Sequence, residues 1–347
     1  MNILLVSSTE AVTPHLETEL EIAQLHLDNN DQVFVMSCWG ELPGCDTNIN
    51  TDRKKCESCK LKRKTGWSLL RGKIKNVTIG KNIKFPYKCS IPQNIRNAED
   101  LKKWDVQGSN LGWGVMSSLV SAVQSPEPNF KSSKWLIRRF GAASEQVYKS
   151  VKSFLEQNKI DRVYVYNGRL ATCRSVVRAC ESTGTEYVVH ERGADSTRYK
   201  LFKNCLPHDI SYNSSEIVGL WGNEENVDLK KKKAEEWFVS TRERVSKSWY
   251  SFTESQKLKL LPDNWNNNQY NITIFTSSED EYESIGDEWK NHIYESQLEA
   301  VERIIRDLIS CNTNTQLTVR MHPNQARLNN SQTNCLRKLS HLSLIHI

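Results

Sequence analysis

The stretch from Asn271 to Asn324 decides how this chain is read. It opens on a strand, Ile272 to Phe275, and continues through the polar acidic loop Thr276-Ser277-Ser278-Glu279-Asp280-Glu281-Tyr282 into an amphipathic helix. It closes on a second strand, Gln316 to Val319, that runs into Arg320-Met321-His322-Pro323-Asn324. In the helix, Leu298, Val301, Ile305 and Leu308 recur at three- and four-residue steps, with Glu299, Glu302, Arg303 and Arg306 between them. That spacing buries one face and leaves the other wet. A β-loop-α-β unit of this length belongs to a parallel sheet, and such sheets hold ligands just beyond the carboxyl ends of their strands. Both polar clusters fall at those ends.

Arg320 and His322 alternate along the strand and are expected to point the same way, while Pro323 has no N–H for the ladder and ends the pairing. A guanidinium and an imidazole at a crevice are groups that grip a phosphate, the first through a fixed fork of donors, the second through a donor that can carry charge. The plain alternative is a strand end with two solvated polar side chains.

The order Thr-Ser-Ser-Glu-Asp-Glu-Tyr, helix, Val-Arg-Met-His-Pro-Asn resembles the start of the donor domain in bacterial capsule and surface-polysaccharide glycosyltransferases. That group includes the Kdo transferases and has a two-domain GT-B fold. The resemblance implies that His322 and Pro323, with Arg320, lie by the phosphate of a CMP- or UDP-linked nucleotide-sugar; Ser278 and Glu279 of the acidic loop are further candidate donor-binding residues. It also implies an α/β fold of two Rossmann-like domains and no catalytic metal, since helix N-termini and basic side chains stabilise the departing phosphate. For the acidic loop three readings stand: it holds a donor hydroxyl, it orients His322, or it is exposed.

The length of 347 residues suffices for two domains with sizeable cores. Hydrophobic residues at 38% and charged residues at 25% are ordinary for a soluble chain, and no apolar run of about eighteen residues suggests a membrane span. The start, Met1-Asn2-Ile3-Leu4-Leu5-Val6-Ser7, lacks the basic flank of a signal peptide and reads as the first strand of a cytoplasmic protein. A formal charge of +6 suits anionic ligands or peripheral contact with an anionic inner-membrane surface. The basic runs at Lys60–Lys64 and Lys230–Lys233 lack the interleaved aromatics of a nucleic-acid module, so no nucleic-acid partner is expected.

The last six residues, Leu342-Ser343-Leu344-Ile345-His346-Ile347, resemble an in-frame sequencing-adapter scar, and about eighty residues after Asn268 are few for a doubly wound domain. The expected organisation is an acceptor domain at 1–215 with a Cys-rich insertion at 38–64, a helical bridge and linker at 216–268, an incomplete donor domain at 269–341, and the scar at 342–347.

The chain opens on strand Ile3 to Ser7, a polar loop with Thr9, Glu10 and His15, a helix from about Leu16 to Leu27, and strand Gln32 to Ser37. No Gly-x-Gly-x-x-Gly follows the first strand, so a Rossmann-like sheet is expected without NAD. Cys38, Cys45, Cys56 and Cys59 come next among the turn formers Pro43, Gly44, Asp46 and Asn48. Four thiols so close in a loop of low apolar content suit a structural Zn²⁺ or an iron-sulfur cluster. Reactive thiols and disulfides are the rivals, the latter disfavoured in a reducing compartment. After Lys60 the pattern weakens: short strands at Val77 to Ile79 and Ile83 to Phe85, helices near Ala98 to Trp104 and Leu111 to Val123, and a long helix from Trp135 to Gln157.

A well-formed unit follows: strand Arg162 to Tyr166, turn Asn167-Gly168-Arg169, helix Leu170 to Ser182, Gly184 as its cap, and strand Glu186 to Val189. Asn167-Gly168-Arg169 and His190-Glu191-Arg192-Gly193 then lie at neighbouring strand ends and line one cleft. His190, Glu191 and Asp195 are candidate general bases, because deprotonating an acceptor hydroxyl needs a carboxylate or imidazole within hydrogen-bond reach. Glu191 and Arg192 pairing with neighbours is the alternative. Glu10, Asn167, Arg169 and Arg192 are the candidate acceptor-binding residues. Residues 217–261 read as charged helix with a partial stripe of Trp221, Trp237, Phe238, Val245 and Trp249, and Pro262 with the Asn-rich run to Asn268 marks a linker.

The composite expectation is a glycosyltransferase that moves a sugar from a nucleotide-sugar to a glycan or lipid-linked glycan. A nucleotide-sugar epimerase or hydrolase on the same fold is one rival, marked by donor turnover without acceptor. A non-catalytic, metal-stapled glycan- or partner-binding protein is the other.

Overall fold

A computed structural model describes residues 1–80, 89–193, 197–243, 245, 260–262, 265–311, 314–323, 331–339 and 345–346. The chain divides into two compact units. The first comprises Met1–Val123 with Pro128–Tyr250, the second Gln124–Glu127 with Ser251–Ile347.

The first unit runs β1 (Asn2–Ser7), α1 (His15–Asp28), β2 (Gln32–Ser37), α2 (Arg53–Ser68), β3 (Lys75–Thr78), α3 (Ala98–Lys102), α4 (Gly112–Val123), α5 (Lys134–Gln157), β4 (Arg162–Tyr166), α6 (Ala171–Thr183), β5 (Glu186–Arg192), β6 (Tyr199–Lys203), α7 (Ile210–Asn223) and α8 (Val227–Arg242). Its strands form one sheet in the order β3-β2-β1-β4-β5-β6, parallel except for β6, which pairs antiparallel with β5. The direction of winding therefore reverses between β1 and β4. Successive strand residues face opposite ways. Leu4, Val6, Val163, Val165 and Val189 pack with α4, α5 and α6 into the larger core, while Ile3, Leu5, Val33, Val35, Tyr164 and Val188 pack against α1 and α2. Fully burying each such aliphatic side chain stabilises the fold by about 1.5–3 kcal/mol, so the two faces together hold the sheet between helical layers.

The helices show why these segments fold as they do. Asp52 caps α2 by accepting from Lys54 N at 2.7 Å, and Asp209 caps α7 through Tyr212 N at 2.8 Å. Gly184 ends α6 in the left-handed region at φ +67°, a conformation that costs glycine no Cβ clash.

Several expected elements need correction. The region read as a cysteine-rich loop is half helix: α2 carries Cys56 and Cys59, and it escaped the hydrophobic pattern because only Arg63, Gly66 and Trp67 are buried along it. The strand expected to end at Val189 continues to Arg192, since β6 supplies a partner as far as Arg192↔Tyr199. His190 and Glu191 are thus strand residues, not loop residues. The segment read as helix from Ile217 is two helices beginning at Ile210, and neither buries any residue, so Trp221, Trp237 and Phe238 are exposed instead of forming an inward stripe. The strand expected at Ile83 to Phe85, and Trp249, lie outside the described residues.

The second unit contains β7 (Tyr270–Phe275), α9 (Gln297–Ser310), β8 (Thr315–Arg320), α10 (Ser331–Lys338) and β9 (Ile345–His346). Its strands are parallel in the order β7-β8-β9, with β9 pairing at Leu317 and Thr318. Val301 and Ile305 of α9 pack with Leu317, Val319 and Leu336, and Leu298 and Leu308 lie against them. The periodic helix and the β-loop-α-β reading of this stretch hold. Among the described residues no helix is long and apolar enough to cross a membrane.

Candidate functional site

In an open α/β sheet, the loops leaving two neighbouring strands in opposite directions part at the carboxyl ends and open a crevice. Here those strands are β1 and β4. The in-register pairs Ser7↔Ser37, Val6↔Val165 and Tyr166↔His190 put Ser7, Tyr166 and His190 at one level across β1, β4 and β5. By the strand alternation all three face α1 and α2. The top row of that face is polar, while the row beneath it, Leu5, Val35, Tyr164 and Val188, belongs to the core.

The helices meet this row with polar groups of their own. Arg63 of α2 is 1% exposed; its Nε donates to Ser7 Oγ at 3.2 Å and its Nη1 to the Cys38 carbonyl at 2.6 Å, while Nη2 donates to the Thr9 carbonyl. Ser7 Oγ in turn donates to Glu19 Oε2 of α1 at 2.6 Å. Burial pushes the Glu19 carboxyl up to about 7, against the lowering effects of the Ser7 hydrogen bond and the Arg63 charge. His190 is 1% exposed and, among the described residues, neither ring nitrogen has a hydrogen-bond partner. Burial, then the neighbouring His15, lowers its pKa to about 3. Because His190 stays neutral down to about pH 3, its 3.9 Å approach to Glu19 Oε1 is not an ion pair. His15, in the first turn of α1, stacks on Tyr166 with ring centroids 3.9 Å apart, and burial followed by the Arg192 charge lowers its pKa to about 4.

Glu191, one residue beyond His190, turns to the other face and meets the β4–α6 turn. Asn167 sits there at φ +59° and Gly168 at φ +75°, and a Cβ on Gly168 would come within 2.5 Å of Leu206 Cδ2, so this turn requires a glycine. Asn167 Nδ2 donates to Glu191 Oε2 at 2.8 Å, and the Arg192 backbone N–H donates to Glu191 Oε1 at 3.0 Å. Burial raises the Glu191 pKa, and these bonds with the charges of Arg192 and Arg169 hold it down. The outcome is a half-buried carboxylate of raised basicity fixed in orientation by two donors, the equipment of a general base.

The other expected residues are distributed as follows. Arg169 donates from Nη1 to Ser117 Oγ at 3.0 Å and from Nη2 to Ser121 Oγ at 3.4 Å, both on α4. Glu10 lines a small cavity shared with Cys38, Cys45, Cys56, Cys59 and Arg63. Asp195 lies outside the described residues. Glu19, Ser7, Arg63 and Tyr166 were missed. The available signal was Glu19 among Leu16, Ile22 and Ala23 on the buried side of α1, a carboxylate at a core position.

In the second unit, β8 ends at Arg320, which is exposed, and Met321 and His322 lie past it. The expected alternation of Arg320 and His322 along one strand stops there, because Thr276 Oγ1 accepts the His322 backbone N–H at 2.8 Å and draws it to the β7 loop. Ser278 is buried and its hydroxyl bonds Asp280. Glu279 Oε1 accepts the Gln297 N–H at 2.7 Å, at the start of α9. Pro323 is half-buried, and Asn324 lies outside the described residues.

No protein-family profile and no curated protein matches this chain. Among solved structures it is similar to a UDP-GlcNAc 2-epimerase from Neisseria meningitidis bound to UDP-GlcNAc, at 12% identity, covering 100% of this chain and 71% of that one, with a TM-score of 0.26. The S. aureus MnaA structure with UDP gives 12% identity, 100% and 68% coverage, and a TM-score of 0.26. The glycosyltransferase VinC in complex with dTDP gives 11% identity, 100% and 71%, and 0.25. Similarity at this level carries no argument; the α/β assignment rests on the strand order and register described above.

Proposed function

We propose that this chain is a nucleotide-sugar enzyme, and more narrowly a glycosyltransferase of bacterial surface or capsular polysaccharide synthesis. Its donor is a CMP- or UDP-linked sugar and its acceptor a glycan or lipid-linked glycan. The observation that carries the reading is Glu191: a carboxylate of raised pKa, oriented by Asn167 Nδ2, at the β5 end beside the β4 turn. In the proposed reaction Glu191 takes the proton of an acceptor hydroxyl as that oxygen bonds to the anomeric carbon. The bond from this carbon to the donor phosphate breaks, and its electron pair leaves with the nucleotide. His190 lies on the opposite face of β5 from Glu191, and its low pKa makes it a weak base. Arg320 and His322 supply cationic and hydrogen-bonding donors for a phosphate, a role that rests on the resemblance of their motif.

The test is to incubate the purified chain with UDP- and CMP-sugars, with and without oligosaccharide acceptors, and to follow both nucleotide release and product by NMR. Acceptor-dependent release with a new glycosidic bond supports the transferase. Donor turnover that ignores the acceptor moves the assignment to a nucleotide-sugar epimerase or hydrolase. Glycan binding with no turnover moves it to a binding protein.

A further inference from the structure

We propose that α7 and α8 form a surface that docks on an anionic phospholipid bilayer, with aromatic side chains entering the headgroup layer and lysines resting on lipid phosphates. A helix on the surface of a globular protein turns its apolar stripe inward, and α7 does the reverse. Its inner side is set by β6: the Tyr212 ring meets that of Phe202 at a centroid distance of 5.9 Å, and Glu216, one turn further on, forms an ion pair with Lys200. Ile217, Val218 and Trp221 fall on the opposite side of the helix, and all three are more than half exposed.

The helix α8 carries the same inversion. Val227, Lys231, Ala234, Phe238 and Thr241 recur at steps of four and three and so share one face. Trp237 borders it, with its ring centroid 5.1 Å from that of Phe238, and Phe238 is 67% exposed. Lys230 joins the two helices: its Nζ donates to the Trp221 carbonyl at 2.6 Å and lies 5.0 Å from the centre of the Trp221 ring. The apolar faces of α7 and α8 therefore adjoin at Trp221.

Charge selects the occupant. The segment holds acidic as well as basic side chains, and the fold sorts them. On α8, Lys230, Lys231 and Arg242 lie within or beside the Phe238 stripe and Lys233 beside Trp237, whereas Asp228, Glu235 and Glu236 lie farther round, Glu236 at 3.9 Å from Lys232. On α7, Glu216 is engaged by Lys200, and in the turn between the helices Glu224 accepts the Asn226 N–H at 3.1 Å. Exposed Trp and Phe rimmed by Lys and Arg are the composition of an interfacial helix, in which apolar burial and attraction to anionic headgroups add. A two-fold contact with a second copy of this chain would instead bring two lysine runs to one interface, where like charges repel.

The experiment is flotation of the purified chain with phosphatidylcholine vesicles, with and without phosphatidylglycerol. Binding is expected only with phosphatidylglycerol and is expected to fall as ionic strength rises. Replacing Lys231, Lys233 and Arg242 together by Ala is expected to weaken it on the order of 100-fold, about fivefold per cation. Trp237→Ser with Phe238→Ser is expected to abolish it, and Leu61→Ser, at an exposed apolar residue of α2, to leave it unchanged. All these side chains are exposed, so unchanged urea midpoints are expected to accompany the variants. No flotation, equal flotation with both lipid compositions, or flotation kept by the Trp237→Ser and Phe238→Ser pair would each overturn the proposal. So would self-association in sedimentation velocity that this pair abolishes, which makes the face an interface between copies. No sugar donor is present in these measurements, so their outcome is separate from that of the transferase assay.

Discussion

The two units carry the same local architecture, a strand, a polar loop, a helix and a parallel strand, but their carboxyl ends differ in kind. In the second unit the polar residues are absorbed locally: Thr276 holds the His322 backbone, Ser278 bonds Asp280, and Glu279 receives the N-terminus of α9. In the first unit the corresponding ends of β1, β4 and β5 collect titratable groups whose pKa values are displaced by burial, upward at Glu19 and Glu191 and downward at His15 and His190. The contrast teaches that a legible motif and a chemically poised site need not coincide. The sharper sequence pattern marks the second unit, and the displaced acid–base groups mark the first.

That contrast breaks if the carboxylate at the first unit's strand end is dispensable. Glu191→Gln keeps the shape and, through its one carbonyl oxygen, the Asn167 contact, but removes the base and the acceptor for the Arg192 N–H, and is expected to lower kcat by about 100-fold or more with only a small fall in melting temperature. Activity within threefold of the parent would sink the general-base role.

Stability against pH sharpens the difference from the other side. Glu19 binds its proton more tightly in the fold than at its ordinary value of 4.5, so the stability it contributes is complete below pH 4.5 and is lost as pH rises through about 7. His15 and His190 stay neutral in the fold down to about 4 and 3, so theirs is complete above 6.5 and lost as pH falls toward those values. Two histidines outweigh one carboxyl between pH 4.5 and 6.5, so stability is expected to rise with pH through that range and to level off near pH 7. Glu19→Gln removes the opposing slope and is expected to steepen the rise between pH 4.5 and 6.5, to be read from urea midpoints across pH 4–8.

Smaller effects belong to the second unit. His322→Ala is expected to raise the KM for the nucleotide-sugar about tenfold, the worth of one charge-assisted hydrogen bond, with little change in kcat. An equal fall in kcat and kcat/KM would instead put His322 in the transition state. Thr276→Val removes the acceptor of the His322 N–H and is expected to cost about 1 kcal/mol, measured by denaturant unfolding.

Much of the fold was legible because apolar spacing reports burial directly. Leu298, Val301, Ile305 and Leu308 announced α9, and the run Val163 to Val165 announced a strand buried on both faces. The elements that were misread are those whose partners are polar or distant. The helix α2 hides behind a charged sequence because its anchor is Arg63, held by the carbonyls of Thr9 and Cys38. The end of β5 was set by β6, a strand that exists only because β5 gives it an edge to pair with.

The candidate site divides in the same way. Asn167-Gly168 before a helix and His190-Glu191 after a strand could be read as crevice residues from their order alone, since strand ends and turns have local signatures. Their company could not. Ser7, Glu19, Arg63, Tyr166 and His190 come from β1, α1, α2, β4 and β5, and only the strand order β2-β1-β4-β5 and its register bring them to one level. Periodicity along a chain is a one-dimensional signal and it determined the elements and the parallel class of the sheets. The displaced pKa values and the shared cavity of the four cysteines depend on distances between segments and on exclusion of water, and those quantities come into being only when the layers pack.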